Sequence, residues 1–217
     1  MKLSWLNRVT ASKLILFFSG WSIDPAQMNF LDTSGFDVAM LHSYDSFDLP
    51  AGINFDDYDE IIAVTYSFGV FTGLRSLSQI GFKGCVIALN GTPHPVDNRF
   101  GIRKMVFEKT LENLSVETFR QFQANMFKDE KEHKFFVGSF AHNPDIEQLK
   151  RELLFILRHS QDIESIDNFQ IKPVISKHDR IFNSKNQIDF WKDFNYVLND
   201  SGHFPFYGFK SWGEIIA

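Results

Sequence analysis

Residues Ile61 to Gly69 read Ile-Ile-Ala-Val-Thr-Tyr-Ser-Phe-Gly, and this stretch decides the fold class. Its apolar first half is typical of a buried strand, and residues 70–74, which follow it, predict a helix. Ser67 therefore lies in a tight turn between a strand and a helix, with Gly69 two positions later. Such a turn holds the serine hydroxyl clear of the sheet, at the amino end of the helix, where a general base can reach it.

A strand, a serine turn and a helix form the nucleophile elbow of the α/β-hydrolases, in which an acid and then a histidine follow the serine along the chain. A late predicted strand at 172–176 is followed by Asp179, the predicted acid. A last predicted strand at 195–198 is followed by His203, the predicted base. The sequence therefore predicts a triad of Ser67, Asp179 and His203 for nucleophilic catalysis.

Each of these residues also has a plainer interpretation. Ser67 could be an ordinary turn serine, and Asp179 could cap the helix that follows it. Asp200, on the histidine's own loop, is a rival acid, and His178 is a rival base. Thr65 departs from the elbow pattern, in which a glycine usually holds this position. The sequence still favours the triad, because its members occur in the order that this fold requires.

The predicted strand at 13–18 leads into a candidate oxyanion hole, since it runs into Ser19-Gly20-Trp21. A glycine there allows the backbone to bend so that the Trp21 N–H points at a carbonyl oxygen of the substrate. The N–H of Phe68, the residue after the serine, would complete the oxyanion hole. Gly20 and Trp21 are therefore also predicted to contact the substrate.

The composition is typical of a globular protein of one domain. Hydrophobic residues make up 44% and charged residues 23% of the 217 residues, which excludes a mainly disordered chain. Cys85 is the single cysteine, so no internal disulfide is expected. No apolar run reaches the length of a membrane span, and residues 14–18 are too short for the core of a signal peptide, so we expect a cytoplasmic protein.

Several other functions lack their sequence motifs. Neither a Gly-x-Gly-x-x-Gly motif after a strand nor a P-loop occurs, and the histidines are scattered without the spacing of metal ligands. A net charge of −5 and a pI near 5.8 argue against nucleic-acid binding. We therefore expect a monomer that needs no cofactor or metal ion and binds neither nucleic acid nor membrane.

Alternation of predicted strands and helices indicates an α/β fold with a mostly parallel sheet. Strands are predicted at 13–18, 36–42, 60–66, 84–90, 172–176 and 195–198, with helices after residues 67 and 184. Only about a dozen residues precede the first strong strand. The antiparallel strands that usually begin an α/β-hydrolase are therefore missing or reduced to one.

Residues 92–160 interrupt this alternation within a single domain that spans 1–217. They contain no convincing strand, and their apolar residues recur at helical spacing. We interpret them as a helical cap over the triad, with Phe107 and Phe119 lining an elongated apolar pocket for an acyl chain. The alternative is that these helices only pack on the core.

Basic residues gather at the start of the expected cap, although the chain as a whole is acidic. Arg99, Arg103 and Lys104 are the members of this group that we predict to dock an acidic partner, because complementary charge speeds encounter and fixes orientation. A solvated surface without a partner is the alternative interpretation.

Six segments of the chain resemble the BioG-type pimeloyl-acyl-carrier-protein methyl ester esterases. They are 16–21 (Leu-Phe-Phe-Ser-Gly-Trp), 63–70 (Ala-Val-Thr-Tyr-Ser-Phe-Gly-Val), 89–92 (Leu-Asn-Gly-Thr), 100–102 (Phe-Gly-Ile), 107–114 (Phe-Glu-Lys-Thr-Leu-Glu-Asn-Leu) and 179–182 (Asp-Arg-Ile-Phe). The resemblance implies hydrolysis of the methyl ester of a pimeloyl chain carried on acyl carrier protein, in biotin formation. Two alternatives are a general short-chain carboxylesterase or thioesterase, and an inactive hydrolase-fold protein that only binds acyl ligands.

Overall fold

The computed structural model describes residues 1–139, 144–163 and 165–217, and seven strands within these residues form one sheet. The strands are β1 (Lys2–Asn7), β2 (Lys13–Phe18), β3 (Asp37–His42), β4 (Glu60–Tyr66), β5 (Cys85–Leu89), β6 (Gln170–Ser176) and β7 (Val197–Asn199). Their order across the sheet is β1-β3-β2-β4-β5-β6-β7. Only β1 is antiparallel to its neighbour, and the other pairs are parallel. The prediction of a mostly parallel sheet is confirmed.

The strand boundaries agree with the sequence closely in the middle of the sheet and less well at its edges. The last strand begins at Val197, two residues later than predicted, because the chain is still turning before it. Phe194 N donates to Trp191 O at 2.8 Å, and Tyr196 N donates to Phe194 O at 2.9 Å. At the opposite edge, β1 is the single antiparallel strand, so the amino-terminal part of the sheet is reduced to one strand.

Seven helices lie in the described part of the chain: α1 (Phe68–Gln79), α2 (Lys104–Glu112), α3 (Val116–Asn125), α4 (Glu130–Ser139), α5 (Ile146–His159), α6 (Ser184–Trp191) and α7 (Trp212–Ile216). Helices α2 to α5 follow one another between β5 and β6, within the segment that we interpret as a cap. Residues 140–143 of that segment lie outside the described residues. Among the described residues, no helix combines the length and the apolar character that crossing a membrane requires.

The core lies on both faces of the sheet, as β2 illustrates. Ile15 and Phe17 belong to the apolar cluster on one face, and Leu14, Leu16 and Phe18 belong to the cluster on the other. Side chains of a strand alternate between faces, so a strand covered on both sides becomes an unbroken apolar run. This is why the sequence of β2 carries no polar residue after its first position.

A third apolar cluster covers the carboxyl ends of the strands and positions the site. It joins Trp21, from the loop after β2, with Phe68 at the start of α1 and Phe182 before α6. Helices α2, α3 and α5 contribute their buried faces, including Phe107 and Phe119. These helices therefore hold apolar side chains directly beside the turn that carries Ser67.

Candidate active site

Ser67 occupies a strained turn between β4 and α1. Its φ of 57° and ψ of −123° lie in a region that residues other than glycine rarely adopt. The conformation is held by the sheet, because Ser67 N donates to Leu89 O at 2.9 Å, and by the helix, because Val70 N donates to Ser67 O at 3.0 Å. A strained serine between a parallel strand and a helix is the geometry of a nucleophile elbow.

Three glycines allow other backbone segments to approach this turn. A Cβ atom added at Gly69 would lie 2.1 Å from Phe18 O, and one at Gly91 would lie 2.4 Å from Ser67 O. A Cβ atom at Gly20 would meet the Tyr66 ring at 2.7 Å. No side chain fits at these distances, so the elbow can pack against the ends of β2 and β5 only because these positions are glycine.

Thr65 fits the position where the elbow pattern usually has glycine. Its hydroxyl donates to Ile87 O at 3.1 Å, which satisfies the polar group in a fully buried place. Its methyl group is accommodated by Gly73 on α1, where a Cβ atom would lie 2.8 Å from Thr65 Cγ2. The larger residue in the strand is thus compensated by a glycine in the helix that packs on it.

Ser67, His203 and Asp179 form one continuous hydrogen-bonded chain. His203 Nε2 lies 2.9 Å from Ser67 Oγ, and His203 Nδ1 lies 2.8 Å from Asp179 Oδ2. A carboxylate can only accept, so Nδ1 carries the proton and Nε2 is left to accept the Ser67 hydroxyl. In this tautomer the imidazole can take the serine proton as a general base.

Four donors surround the carboxylate of Asp179. Its Oδ1 accepts from the backbone N–H groups of Ile181 at 2.9 Å and Phe182 at 2.8 Å. Its Oδ2 accepts from Gln187 Nε2 at 3.0 Å as well as from His203. The side chain is fully buried, and burial of an ionised carboxyl is tolerated only with such compensation. Asp179 is therefore fixed in the orientation that points Oδ2 at the imidazole.

The rival residues from the sequence lie elsewhere. Asp200 is exposed and binds the ammonium of Lys128 and, at 2.9 Å, Nε2 of His178. The hydrogen bond from Lys128 and that from His178 lower the pKa of Asp200 to about 2. Asp200 and His178 therefore satisfy each other on the surface, and the structure places neither in the chain that ends at Ser67.

Tyr66, the residue before the serine, packs against the imidazole. The ring centroids of Tyr66 and His203 are 5.2 Å apart, and Phe206 meets the other side of Tyr66 at 5.0 Å. Burial, together with the charge of Asp179, raises the pKa of the Tyr66 hydroxyl well above its ordinary value. The tyrosine therefore stays neutral and restricts the position of the imidazole through packing.

The two predicted oxyanion donors come from two elements, α1 and the loop after β2. Phe68 is the first residue of α1, where a backbone N–H has no acceptor within the helix. Trp21 is held in place through its side chain, because its indole N–H donates to Leu149 O on α5 at 3.0 Å. Gly20, the residue before Trp21, approaches so closely that an added Cβ atom would lie 3.1 Å from Ser67 Cβ. The loop after β2 is thus adjacent to the serine and tied to the helical insertion.

Aromatic side chains surround the serine on the side of the insertion. Trp21 packs edge to face on Phe119 at 5.8 Å and on Phe122 at 4.8 Å, measured between ring centroids. Phe107 lies 5.7 Å from Phe68. Both of the phenylalanines that we predicted to bind substrate therefore belong to the apolar cluster at the elbow.

A cavity of about 670 Å³ adjoins this cluster beneath α3, α4 and α5, and Phe119 and Leu149 belong to its walls. It is more polar than the pocket expected from the sequence, because the loop after β2 and the end of β3 border it with residues such as Ser22 and His42. Burial raises the pKa of Glu152 in its wall to about 8 and, with a contribution from the Lys2 charge, lowers that of His42 to about 4. Both groups are therefore neutral at pH 7.

The three basic residues predicted to dock a partner are exposed but do not act as one group. Arg99 lies over the ring of the next residue, with its guanidinium carbon 4.6 Å from the centroid. Lys104 pairs with Glu108, one helical turn later, at 3.8 Å. Arg103 instead lines a small pocket together with Arg180, a residue that the sequence analysis did not connect with it.

Two buried amides that position the site escaped the sequence analysis. Besides Gln187, Asn90 ties the end of β6 to the loop after β7, because its Nδ2 donates to His203 O at 2.7 Å and its Oδ1 accepts from Ser176 N at 2.7 Å. Asn90 follows β5 at a φ of 48° and precedes Gly91, a dipeptide that predicts a turn. The sequence therefore signals the bend at this position, but not the residues to which the amide is bonded.

Comparison with known proteins agrees with this geometry. The family model described as pimeloyl-ACP methyl esterase BioG matches residues 1–215. The chain is 30% identical over 204 residues to an uncharacterized protein of Haemophilus influenzae, an alignment that covers 93% of both. It is 31% identical over 182 residues to a malonyl-[acyl-carrier protein] O-methyltransferase of Bacteroides fragilis. That alignment covers 83% of this chain but only 36% of the methyltransferase, so the chain spans about a third of that relative's length.

Solved structures extend the comparison to the fold. The crystal structure of BioG from Haemophilus influenzae superposes with a TM-score of 0.87 at 27% identity and covers 99% of both chains. An esterase from Exiguobacterium antarcticum superposes with a TM-score of 0.63 at 12% identity, over 94% of this chain and 88% of that one. The second likeness shows the fold alone, which is that of the α/β-hydrolases. The chain belongs to the BioG family of pimeloyl-ACP methyl esterases.

Proposed function

We propose that this chain hydrolyses the methyl ester of pimeloyl-acyl-carrier-protein methyl ester to methanol and pimeloyl-acyl carrier protein, in biotin synthesis. The observation that carries the proposal is the 2.9 Å contact between Ser67 Oγ and His203 Nε2 at a strained elbow. It supplies a nucleophile and its base in one place, which is the requirement for acyl transfer through a serine ester.

In the first half of the reaction, Ser67 Oγ attacks the ester carbonyl while His203 Nε2 takes the hydroxyl proton. The carbonyl oxygen becomes an oxyanion, which the N–H groups of Trp21 and Phe68 stabilise. Loss of one such donor raises a barrier of this kind by about 3 kcal/mol. The imidazolium then protonates the leaving methoxide, methanol departs, and the pimeloyl group remains on Ser67 as an ester.

In the second half, water replaces methanol and the same groups act again. His203 takes a proton from water, the hydroxide attacks the acyl-enzyme, and the oxyanion forms in the same place. Proton return from His203 to Ser67 Oγ releases the free carboxylate. Throughout both halves, Asp179 orients the imidazole and stabilises its cation, and four donors hold its side chain in place.

Two comparisons support the proposed substrate class: the family description and the name of the Bacteroides relative. The family is described by its action on pimeloyl-ACP methyl ester. The Bacteroides relative is named for methylating malonyl-acyl carrier protein, and such a reaction creates a methyl ester on a carrier-bound acyl chain. An esterase related to it would remove that methyl group once the chain has been extended. The cluster of Trp21, Phe107 and Phe119 provides the apolar surface that an acyl chain requires.

The test is incubation of the purified protein with pimeloyl-acyl-carrier-protein methyl ester, followed by intact-mass analysis of the carrier. We expect the carrier to lose the mass of one methylene, with the thioester intact. Ser67→Ala should abolish this conversion, whereas Ser78→Ala, an exposed serine on the same helix, should leave it unchanged.

Other products would identify the alternatives. Release of the whole acyl chain from the carrier would indicate a thioesterase. Labelling of Ser67 by a fluorophosphonate probe without conversion of the carrier would indicate a general esterase with another substrate. Absence of labelling in a folded protein would contradict nucleophilic catalysis by Ser67.

A further inference from the structure

A second pocket, of about 400 Å³, lies where helices α2 and α6 begin. A hydrogen bond at 2.9 Å from Asn186 Nδ2 on α6 to Gly101 O joins α6 to the segment just before α2. Arg103 is the residue before α2, and Asn183 is the residue before α6. The amino ends of helices carry partial positive charge, so two such ends at one pocket favour an anion over a cation.

The polar side chains of this pocket are basic or amidic. Arg103, Arg180 and Lys185 are its charged residues, and none of the described residues that line it is acidic. Lys185 pairs with Asp189 one turn further along α6, at 2.5 Å, whereas Arg103 and Arg180 have no carboxylate partner in the described part of the chain. In a chain of net charge −5, this leaves two arginines without a partner at one place.

The amides of the pocket are arranged as donors. Asn98 Oδ1 already accepts from Lys104 N at 3.2 Å, and Asn183 Oδ1 accepts from Lys185 N at 2.9 Å. Because the oxygen of each amide is occupied by the backbone, the NH2 group is what each amide can offer to a ligand. Two arginines and two amide donors match the oxygens of a phosphate.

The pocket lies one layer of side chains outside the catalytic cluster. Val106 and Ile181 line the pocket, and the residues that follow them, Phe107 and Phe182, belong to the apolar cluster around Phe68. Ile181 also donates its N–H to the carboxylate of Asp179. A long substrate with one end at Ser67 can therefore have an anionic group at its other end beside this pocket.

The larger cavity beneath α3, α4 and α5 is poorly suited to that anionic group. Lys2 and Arg120 line it, but so do Asp24 and Asp145, whose negative charges offset the attraction of these two cations for a phosphate. The two cavities thus differ in charge, and only the smaller one, in the described part of the chain, has basic residues without acidic ones.

We propose that the pocket of Arg103, Arg180 and Lys185 binds the phosphate of the phosphopantetheine arm that carries the acyl chain. This inference rests on the proposed function, because that arm joins the pimeloyl thioester to the carrier protein through a phosphodiester. The arm places its phosphate at the opposite end of the substrate from the methyl ester. Binding of that phosphate would therefore select carrier-type substrates and hold the arm while the ester reaches Ser67.

The test compares methyl pimeloyl thioesters of pantetheine and of 4′-phosphopantetheine, which differ only in the phosphate. For the wild-type protein we expect kcat/KM to be at least about tenfold higher with the phosphate, and we expect this ratio to fall as salt is added. In an Arg180→Gln/Lys185→Gln double variant the ratio should fall to about 1. Lys192→Gln, at the far end of α6, is the matched control and should retain the wild-type ratio.

The ratio is insensitive to a general loss of folded enzyme, since such a loss lowers both rates equally. A ratio near 1 in the wild-type protein would overturn the phosphate site and leave the esterase function intact. A double variant that is impaired only with the complete carrier protein would also overturn it, because carboxylates of the carrier would then be the ligand.

Calorimetric titration with 4′-phosphopantetheine measures binding to the pocket independently of ester hydrolysis. Binding that is lost in the double variant and kept in Lys192→Gln would support the phosphate site even if none of the esters were hydrolysed. In that case the proposed function would fail and the binding site would stand. Equal binding to the wild-type protein and the double variant would contradict the site.

Discussion

The loops after β6 and β7 each carry an aspartate close in sequence to a histidine, yet the two carboxylates differ in nearly every respect. Asp179 is buried and accepts from two backbone N–H groups, an amide and His203. Asp200 is exposed and pairs with Lys128 and His178. The difference teaches that surroundings, more than proximity along the chain, decide which carboxylate can orient an imidazole.

The physical reason is the cost of holding a charge in each place. A buried carboxylate must be surrounded by donors, and those donors fix its direction. An exposed carboxylate is solvated and can turn toward whichever cation is near. Its ion pairs therefore contribute little to stability and do not fix the direction of the carboxylate. Only the first kind of carboxylate can hold His203 in a single tautomer and a single orientation.

Exchange of each aspartate for asparagine should separate the two carboxylates by the largest effect. Asp179→Asn should lower kcat by about 10⁴-fold, because the amide no longer enforces the tautomer with the proton on Nδ1. Asp200→Asn should change kcat by less than about twofold. Steady-state kinetics with a soluble methyl ester measures both, and a larger loss in Asp200→Asn would reverse the assignment of the acid.

A substitution between uncharged residues tests whether the position of Ser67 matters for catalysis as well as the carboxylate. In Gly20→Ala the added methyl group would meet the Tyr66 ring at 2.7 Å and Ser67 Cβ at 3.1 Å, so the elbow and the packing of His203 must shift. Misplacement of reacting groups on this scale should lower kcat by about 10²-fold. Gly208→Ala is the control, since its nearest contact is an ordinary 3.7 Å to Ser201 Oγ. Full activity in Gly20→Ala would show that the elbow tolerates displacement.

Removal of one donor to Asp179 should have a smaller effect. Gln187→Met keeps the volume of the buried side chain but deletes the 3.0 Å hydrogen bond to Oδ2. A hydrogen bond to a charged group is worth about 1.5–3 kcal/mol, and part of that loss should appear as a roughly tenfold lower kcat. Because His203 would be held less firmly, the pH dependence of kcat should shift as well. A variant with lower stability but an unchanged pH profile would give Gln187 a purely structural role.

Glu152 is a third kind of carboxyl group, because it is buried without the donors that surround Asp179. Burial raises the pKa of Glu152 to about 8, against an ordinary value of 4.5, although a backbone hydrogen bond from Tyr44 opposes the shift. The folded protein therefore keeps a proton that the unfolded chain releases between these two pH values. Stability falls as pH rises across this window, by up to about 3 kcal/mol at pH 7 for this group.

Glu152→Gln should remove that dependence. Denaturant unfolding at pH 5.5 and 8.5 measures it, and the variant should gain stability relative to the wild-type protein as the pH rises. His42, in the wall of the same cavity, has a pKa lowered to about 4. Its contribution to the stability of the protein is therefore lost in the opposite direction, as the pH falls below 6.5. The comparison is therefore made between the two proteins at each pH. An equal difference at both pH values would contradict the raised pKa.

The sequence predicted the elements that meet at the site, and the reason is topological. Parallel strands all end at one edge of a sheet, so residues that follow β4, β6 and β7 are brought close together wherever they lie in the chain. This placed Ser67, Asp179 and His203 near one another. The catalytic roles of the three residues remain a proposal.

The sequence did not predict the groups that hold the site in place. Gln187 reaches Asp179 from the next helix, and Asn90 reaches His203 from a different loop. A single amide in a sequence carries no mark of its distant partner. The sequence did not predict the polarity of the large cavity for the same reason, because its polar walls come from β3, α5 and the loop after β2.

By itself, the sequence determined the sheet, the elbow and the order of the triad, because these depend on local periodicity and on the small residues that a tight turn requires. Which of Asp179 and Asp200 contacts the His203 imidazole is visible only in the tertiary structure, since that contact depends on burial and on donors from other elements. It also decided that Arg103 lies beside Arg180 and Lys185, residues far away in the chain. Contacts of this kind depend on how α2 and α6 pack together, which no short stretch of sequence encodes.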